Sequence, residues 1–308
     1  MQDIVRQGDR NTCRLEYDRN NSELAYFTFA NIEETGIVEQ CFTTRADGVS
    51  TGDTASLNLS YSRGDQTQNV DENFRRVAAH FGKQPNDIVC SQQTHTTNVR
   101  KVTVADKGKG VVRKPDYTDV DGVITNESGI LLATFFADCV PLFIVDPISH
   151  SIGLSHSGWR GTVGKMGKVT LDRMAQEYGT KAEDVQVAIA PSICQSCYEV
   201  SGDVAYAFDG AFPKNDEMAR EYLLRYQTTP SSEDIANCLF YKKENGKYQL
   251  NLWYANFRVF RDAGVPDENI AVTDVCTCCN SQLLFSHRAS RGRRGNLGAF
   301  LMLKETGG

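Results

Sequence analysis

In the stretch FFADCVPLFIVDPISHSIGLSH, Phe135 to His156, a cysteine and a histidine stand at the far ends of two β-like runs. Asp146-Pro147-Ile148-Ser149 has the composition of a turn between them. If Val145 pairs with His150 across a four-residue loop, the antiparallel register carries Cys139 opposite His156. Directly opposed residues place their Cβ atoms about 4.5 to 5.5 Å apart on one face. A thiolate beside an imidazole has two chemical uses, as a nucleophile with its base or as two ligands of one metal. A third ligand favours the metal. Of the five histidines, His80 ends a helical pattern and His150 lies in the turn, which leaves His95 in SQQTHTTNV and His287 in FSHR. Spacing alone does not choose between these two.

The elements that must position this pair follow from periodicity. Ser151 to His156 alternates polar and apolar residues as a half-buried strand does, and Val163, Met166, Thr170, Met174 and Tyr178 repeat at helical spacing up to a stop at Gly179. Between them, Gly158-Trp159-Arg160-Gly161 offers backbone N–H groups at the positive end of a helix, to which Arg160 or Arg45 could add a bidentate phosphate contact. The bland alternative is that the glycines only permit the turn and Arg160 only caps it. A phosphate-loop reading of GTVGKMGK fails, because GxxxxGK would need glycine at Trp159 or Thr162.

Further runs near Ala25–Phe29, Val99–Val104, Gly122–Thr125, Ile130–Phe136, Val140–Val145 and Val185–Ile189 read as strands. Helical patterns fall near Asp71–Phe81, Val163–Tyr178, Gly202–Phe208, Asp216–Tyr226 and Leu252–Ala263. Hairpins without regular βαβ alternation predict an α+β fold with mixed sheets flanked by helices. Ala105–Thr118 and Pro213–Lys247 read as long surface excursions. Cys194-Gln-Ser-Cys197 and Cys276-Thr-Cys278-Cys279 are open to two readings, as buried thiols that build the pocket or as halves of a second, structural zinc site.

The 308 residues are 40% hydrophobic, enough for a sizeable core, and no linker divides them, so one domain over 1–308 is expected. A net charge of −6 argues against a nucleic-acid surface, and the basic cluster Ser290 to Arg294 is too short to outweigh it. No stretch approaches the roughly 20 apolar residues of a membrane helix, and the first twenty lack the apolar centre of a signal peptide. A cytoplasmic protein whose ten cysteines are mostly reduced is the expectation.

SQQTH, TDVDGVIT, FFADCVPLFIVDP, HSGWRG, APSICQSCYEV and CTCCNSQLLFSHR occur in the order seen in the YfiH/YlmD-like proteins, labelled multicopper polyphenol oxidases or laccase-domain proteins and later described as purine nucleoside phosphorylases. With TTRADGVSTGDTASLNLS upstream, the resemblance runs from about Thr43 to the C-terminus. It implies a fold similar to the catalytic domain of cytotoxic necrotizing factor and one zinc ion held by His95, Cys139 and His156. Three ligands with an open position is the arrangement of a catalytic zinc, where bound water is acidified toward neutral pH. The same resemblance suggests a catalytic part for Arg45 and substrate or phosphate contacts for Arg160, Gly158, Gly161, Gln93 and Asp138. Thr96 follows His95 where glycine is frequent, a departure that touches pocket shape more than ligation.

The implied activity is zinc-dependent phosphorolysis of purine nucleosides, with adenosine deamination possible at the same pocket by attack of hydroxide on C6. Its partners are a nucleoside and phosphate, in a monomer or homodimer; GRRGNLGAFLML could pack a dimer as easily as a core. The alternatives are a Cys–His hydrolase or amidase editing cell-wall precursors, a copper polyphenol oxidase, and a non-catalytic metal-binding protein. Copper fits poorly, because one His/His/Cys set cannot build a multinuclear centre and no HxH pair occurs.

Overall fold

The computed structural model describes residues 4–8, 11–18, 24–212 and 239–305. One six-stranded sheet runs in the order β1 (Cys13–Tyr17), β2 (Ala25–Phe29), β3 (Val38–Thr43), β15 (Leu297–Leu303), β7 (Leu131–Phe136), β4 (Ile88–Cys90). A second runs β14 (Ile270–Val272), β10 (Gln186–Ile189), β8 (Val140–Asp146), β9 (Ser151–Ser157), β6 (Gly122–Thr125), β5 (Val99–Lys101). A small third sheet pairs β11 (Glu199–Val200), β13 (Tyr248–Leu250) and β12 (Phe240–Lys242). The helices among the described residues are α1 (Ala30–Glu33), α2 (Thr67–His80), α3 (Trp159–Val163), α4 (Met166–Tyr178), α5 (Gly202–Ala211), α6 (Leu252–Asp262) and α7 (His287–Ser290). Parallel pairs (β4 with β7, β5 with β6, β10 with β14) sit among antiparallel ones, so both large sheets are mixed and the fold is α+β, as expected. No described helix is long and apolar enough to cross a membrane.

Strand alternation explains the layering. On β7, Leu132 and Phe136 face the second sheet while Leu131 and Ala133 face α2; on β15, Ala299 and Leu301 point one way and Phe300 and Met302 the other. On β8, Phe143 and Val145 enter the space between the sheets, whereas Leu142 and Ile144 pack against α4 and α6. Both faces of the central strands are therefore covered, which is why β8 reads as a continuous apolar run. β9 differs only in the size of its helix-facing residues. A Cβ on Gly153 would lie 3.0 Å from the Met174 sulfur, and the Ser155 hydroxyl hydrogen-bonds Thr170 at 2.7 Å, so α4 lies close on that face.

Four expectations need correction or limit. The β8–β9 hairpin pairs Val145 with Ile152 and Pro141 with His156, two partner positions away from the expected register. Asp146 is the last strand residue and not the first turn residue, because its carboxylate accepts the Ile148 and Ser149 amides and closes the turn from the strand end. A shift of two preserves parity, so Cys139 and His156 remain on one face, as diagonal rather than direct neighbours. The expected helix over 163–178 is two helices, broken at Gly164 and at Lys165, which has φ +61°. The stretch 105–118 is a surface excursion only in part: Val112, Arg113, Lys114, Asp116 and Thr118 are exposed, but Asp106, Gly108 and Lys109 are buried. Gly108 and Gly110, both at positive φ, fold it back so that Gly108 donates to Ile88 and Lys109 accepts from Cys90, and the nearly buried Lys109 ammonium sits between Asp106 and Asp116. The pattern Asp216–Tyr226, and most of the Pro213–Lys247 stretch, lie outside the described residues.

Candidate active site

The two large sheets meet at one end through the loops that leave β4, β7 and β9. His95 comes from the loop after β4, held to the second sheet by a bridge between Gln92 and Val120. Cys139 precedes β8, and His156 is the penultimate residue of β9. The Cys139 sulfur lies 3.9 Å from His95 Nε2, the two imidazole rings meet edge-on with centroids 5.0 Å apart, and the donor atoms of His95, Cys139 and His156 all fall within 4.8 Å of one another. Of the two histidines that spacing left open, His95 lies beside the pair, while His287 begins α7 against Gly292.

Behind the trio stands Asp121, fully buried at the start of β6. Its Oδ1 accepts from His156 Nδ1 (2.8 Å) and the His95 amide (3.1 Å); its Oδ2 accepts from the Thr94 and Thr96 amides (3.1 and 2.9 Å) and the Thr96 hydroxyl (2.9 Å). One carboxylate therefore shapes the loop that carries His95, which sits at φ +67°, and fixes the ring of His156. With Nδ1 committed to Asp121, the remaining nitrogen of His156 faces the thiol. Burial pushes Asp121 up, but His156 and the amides of the loop outweigh it and hold the carboxyl at about 2. Burial likewise opposes charge on Cys139 and His156, yet each stabilises the other. The thiol falls to about 6 with His156 and His95 beside it, and the imidazole rises to about 9 between Cys139 and Asp121. The shifts of the two groups favour a thiolate beside an imidazolium, an arrangement suited to exchanging protons for a metal ion or to acting as nucleophile and acid.

The trio lies at the base of a cleft of about 460 Å³, whose walls include Tyr61, Phe74, Phe135 and two arginines, Arg63 and Arg294. Burial, reinforced by the neighbouring Arg63, lowers Arg294 to about 10, so its guanidinium stays charged at neutral pH. Sequence reasoning missed Arg63, Arg294 and Asp121. Arg63 and Arg294 come from loops far apart in the chain, and Asp121 was visible only as a letter of TDVDGVIT.

The other expected site residues divide. Gln93 lines the cleft, with its amide spanning the Phe135 backbone N–H and C=O, each at 2.7 Å. Gly158 permits the assembly: a Cβ there would come within 2.8 Å of His95 Cδ2 and 3.2 Å of the Cys139 sulfur. Asp138, at φ +90°, accepts from the Thr277 hydroxyl and the Arg288 amide (both 2.7 Å), which fixes the backbone next to Cys139. Gly161 lies inside α3, a helix of five residues, with no crowding at its Cβ position. Such a short helix supports only a weak dipole. Arg160 is exposed and stacks on Trp159, 4.1 Å from its ring centre. Arg45 is withdrawn from the cleft: its guanidinium donates to the carbonyls of Ala55 (2.6 Å) and Ser281 (3.2 Å) and covers the Phe285 ring.

A family model described as multi-copper polyphenol oxidoreductase laccase matches residues 39–304. The chain belongs to this family. Within the laccase-domain family, it is 33% identical to the purine nucleoside phosphorylase YlmD of Bacillus subtilis (strain 168), over 86% of this chain and 88% of the relative. It is 31% identical to adenosine deaminase RL5 from an unknown prokaryotic organism, over 86% and 93%. The crystal structure of YlmD from Geobacillus stearothermophilus superposes with a TM-score of 0.78 at 30% identity, covering 98% of this chain and all of the other. Bacillus licheniformis YfiH gives a TM-score of 0.79 at 29% identity. The first two of these relatives bear enzyme names, both of small-molecule nucleoside chemistry.

Proposed function

We propose that this protein is a zinc-dependent enzyme that cleaves purine nucleosides with phosphate and deaminates adenosine in the same cleft. The observation that carries the reading is the convergence of His95, Cys139 and His156 below two arginines, with Asp121 holding the imidazole of His156 in the tautomer a metal requires. The donor set suits zinc: two imidazoles and one thiolate are its usual ligands, three of them leave an open position, and copper oxidases need more histidines than this site brings together. Zinc bound there would supply a Lewis acid and an acidified water.

The residues of the chain do the rest. Phe135 and Tyr61 offer aromatic surface to a purine, and Arg63 with Arg294 offers charge to an anion. In phosphorolysis a phosphate oxygen bonds to the anomeric carbon while the bond to the base nitrogen breaks and the base carries away the electron pair. Arg63 and Arg294 take over the phosphate-anchoring part that Arg45 and Arg160 were expected to play, because they line the cleft and the other pair does not. The test is to incubate the purified protein with adenosine or inosine, with and without phosphate, before and after chelation. Release of free base that needs phosphate, stops on chelation and returns with zinc supports the proposal; absence of both base release and deamination refutes it.

A second reading rests on the same geometry without metal. Cys139, His156 and Asp121 form the order nucleophile, base, orienting carboxylate of a cysteine hydrolase. It predicts activity that survives chelation and is lost on stoichiometric alkylation of Cys139.

A further inference from the structure

Four cysteines that the reaction does not use meet behind the active site. Cys194 and Cys197 flank a short turn after β10, and Cys276 and Cys279 flank another after β14, two parallel neighbours in the second sheet. Their sulfurs all lie within 4.8 Å of one another, with Cys197 to Cys279 at 3.5 Å and Cys194 to Cys279 at 4.0 Å. Four thiolates about 2.3 Å from a central zinc would stand about 3.8 Å apart along the edges of a tetrahedron. The observed spread brackets that edge. A disulfide would instead bring one pair to about 2.05 Å, and the four free sulfurs are spread as a group.

The surroundings suit charged sulfur. The amide of Cys194 donates to the Cys276 sulfur at 3.2 Å, the amide of Cys279 donates to the same sulfur at 3.5 Å, and the Ser196 hydroxyl lies 3.1 Å from the Cys194 sulfur. In each C-x₂-C half the chain turns back on itself, so both sulfurs of a half face the same point. Cys278, although it stands between two of the four, is not part of the group.

We propose that Cys194, Cys197, Cys276 and Cys279 bind a second, structural zinc ion with all four positions filled by the protein. The site staples two loops that would otherwise be joined by little more than the Ser192–Cys276 bridge and the Thr277 amide to the Ser192 carbonyl. The stapled loops carry the groups that hold the backbone beside the catalytic cysteine: Ile193 donates its amide to the Asp138 carbonyl at 3.0 Å, and Thr277 donates its hydroxyl to the Asp138 carboxylate. The bound metal thus stiffens the support of Cys139 without touching substrate.

The experiment counts metal on the full chain purified without chelator. Elemental analysis should give about two zinc per chain for the wild type, about one for Cys139→Ala, about one for Cys197→Ser, and almost none for the double variant. Cys278→Ser, the control, should keep both. Should Cys197→Ser fail to fold, the wild type still decides. Peptide mapping after alkylation should find Cys194, Cys197, Cys276 and Cys279 protected until a strong chelator strips the metal and labelled afterwards. Zinc lost from Cys197→Ser but retained by Cys139→Ala supports this site and sinks the catalytic-zinc reading, so the two proposals fail separately. A Cys139→Ala protein that is folded and zinc-free, or a native disulfide among the four cysteines, overturns the second site.

Discussion

Replacing Asp121 by Asn changes one atom and no volume, yet it should dismantle the metal site. The carboxylate accepts five hydrogen bonds, two on Oδ1 and three on Oδ2. An amide has one oxygen. With that oxygen toward His156, the NH₂ group confronts the Thr94 and Thr96 amides, and two part-buried donors lose their acceptor, at about 1 kcal/mol each, the low end of the cost of an unsatisfied donor. With the amide flipped, NH₂ confronts His156 Nδ1, which must then accept, and the ring proton moves to Nε2, the atom that should face the metal. The first arrangement costs stability, about 2 kcal/mol in all, and the second weakens ligation. Loss of a carboxylate behind a ligating histidine lowers metal affinity about 10- to 100-fold, or about 1.4 to 2.7 kcal/mol. Chelator competition on Asp121→Asn should show that loss, and urea unfolding of the metal-free protein should show the stability term. A variant with wild-type zinc affinity and an unchanged unfolding midpoint would refute the assignment of Asp121 as the positioning carboxylate.

Other outcomes follow from the same geometry. Gly158→Ala, whose φ of −73° any residue tolerates, should fold normally but bind zinc more weakly, since its methyl group displaces His95 or Cys139; calorimetric titration checks this. Arg63→Ala and Arg294→Ala should each raise the phosphate concentration needed for half-maximal base release about tenfold while leaving deamination within about threefold, since one charged hydrogen bond is worth about 1.5 to 3 kcal/mol; equal losses in both reactions would assign the arginines to the nucleoside. Asp106→Asn should destabilise the protein by about 2 kcal/mol at pH 7, because it leaves Lys109 short of a partner. The Asp106 carboxyl is buried but hydrogen-bonded by Lys109 and held below its usual range, so its contribution is present above the unfolded value near 4 and fades as pH falls further. Denaturation curves of wild type and variant should therefore converge in acid.

How much of this was legible from the residues depends on the range of the interaction. The strands at Ala25–Phe29 and Gly122–Thr125 coincide with their apolar runs, and the shared face of Cys139 and His156 survived an error in the turn, though their direct pairing did not. It survived because facing depends on parity, and an even slip leaves every side chain on its own face. The break between α3 and α4 was hidden, since Gly164 and Lys165 interrupt the backbone without interrupting the apolar spacing. Lys109 shows the opposite failure: one lysine of a polar surface stretch is nearly buried, its ammonium between two carboxylates and beside a tyrosine ring. Arg63 and Arg294 could not be found by spacing, because only the closure of the two sheets puts them in one cleft.

Asp121 and Asp138 explain why so few residues suffice to build the site. His95 stands in the loop after β4, Cys139 just before β8 and His156 next to the end of β9, so ladder hydrogen bonds alone do not fix all three. Asp121 ties the β4 loop to β9 by bridging His95 and His156, and Asp138 ties the start of β8 to the loop after β14 through Thr277 and to α7 through Arg288. Both carboxylates are nearly or fully removed from water, so an unpaired charge at either would be expensive and the paired arrangement is strongly preferred. The two large sheets are thus locked together at the end where the cleft opens. Cys139 takes its position from one carboxylate, the histidines take theirs from the other, and the distance between the two sets is fixed by the β8–β9 hairpin that joins them.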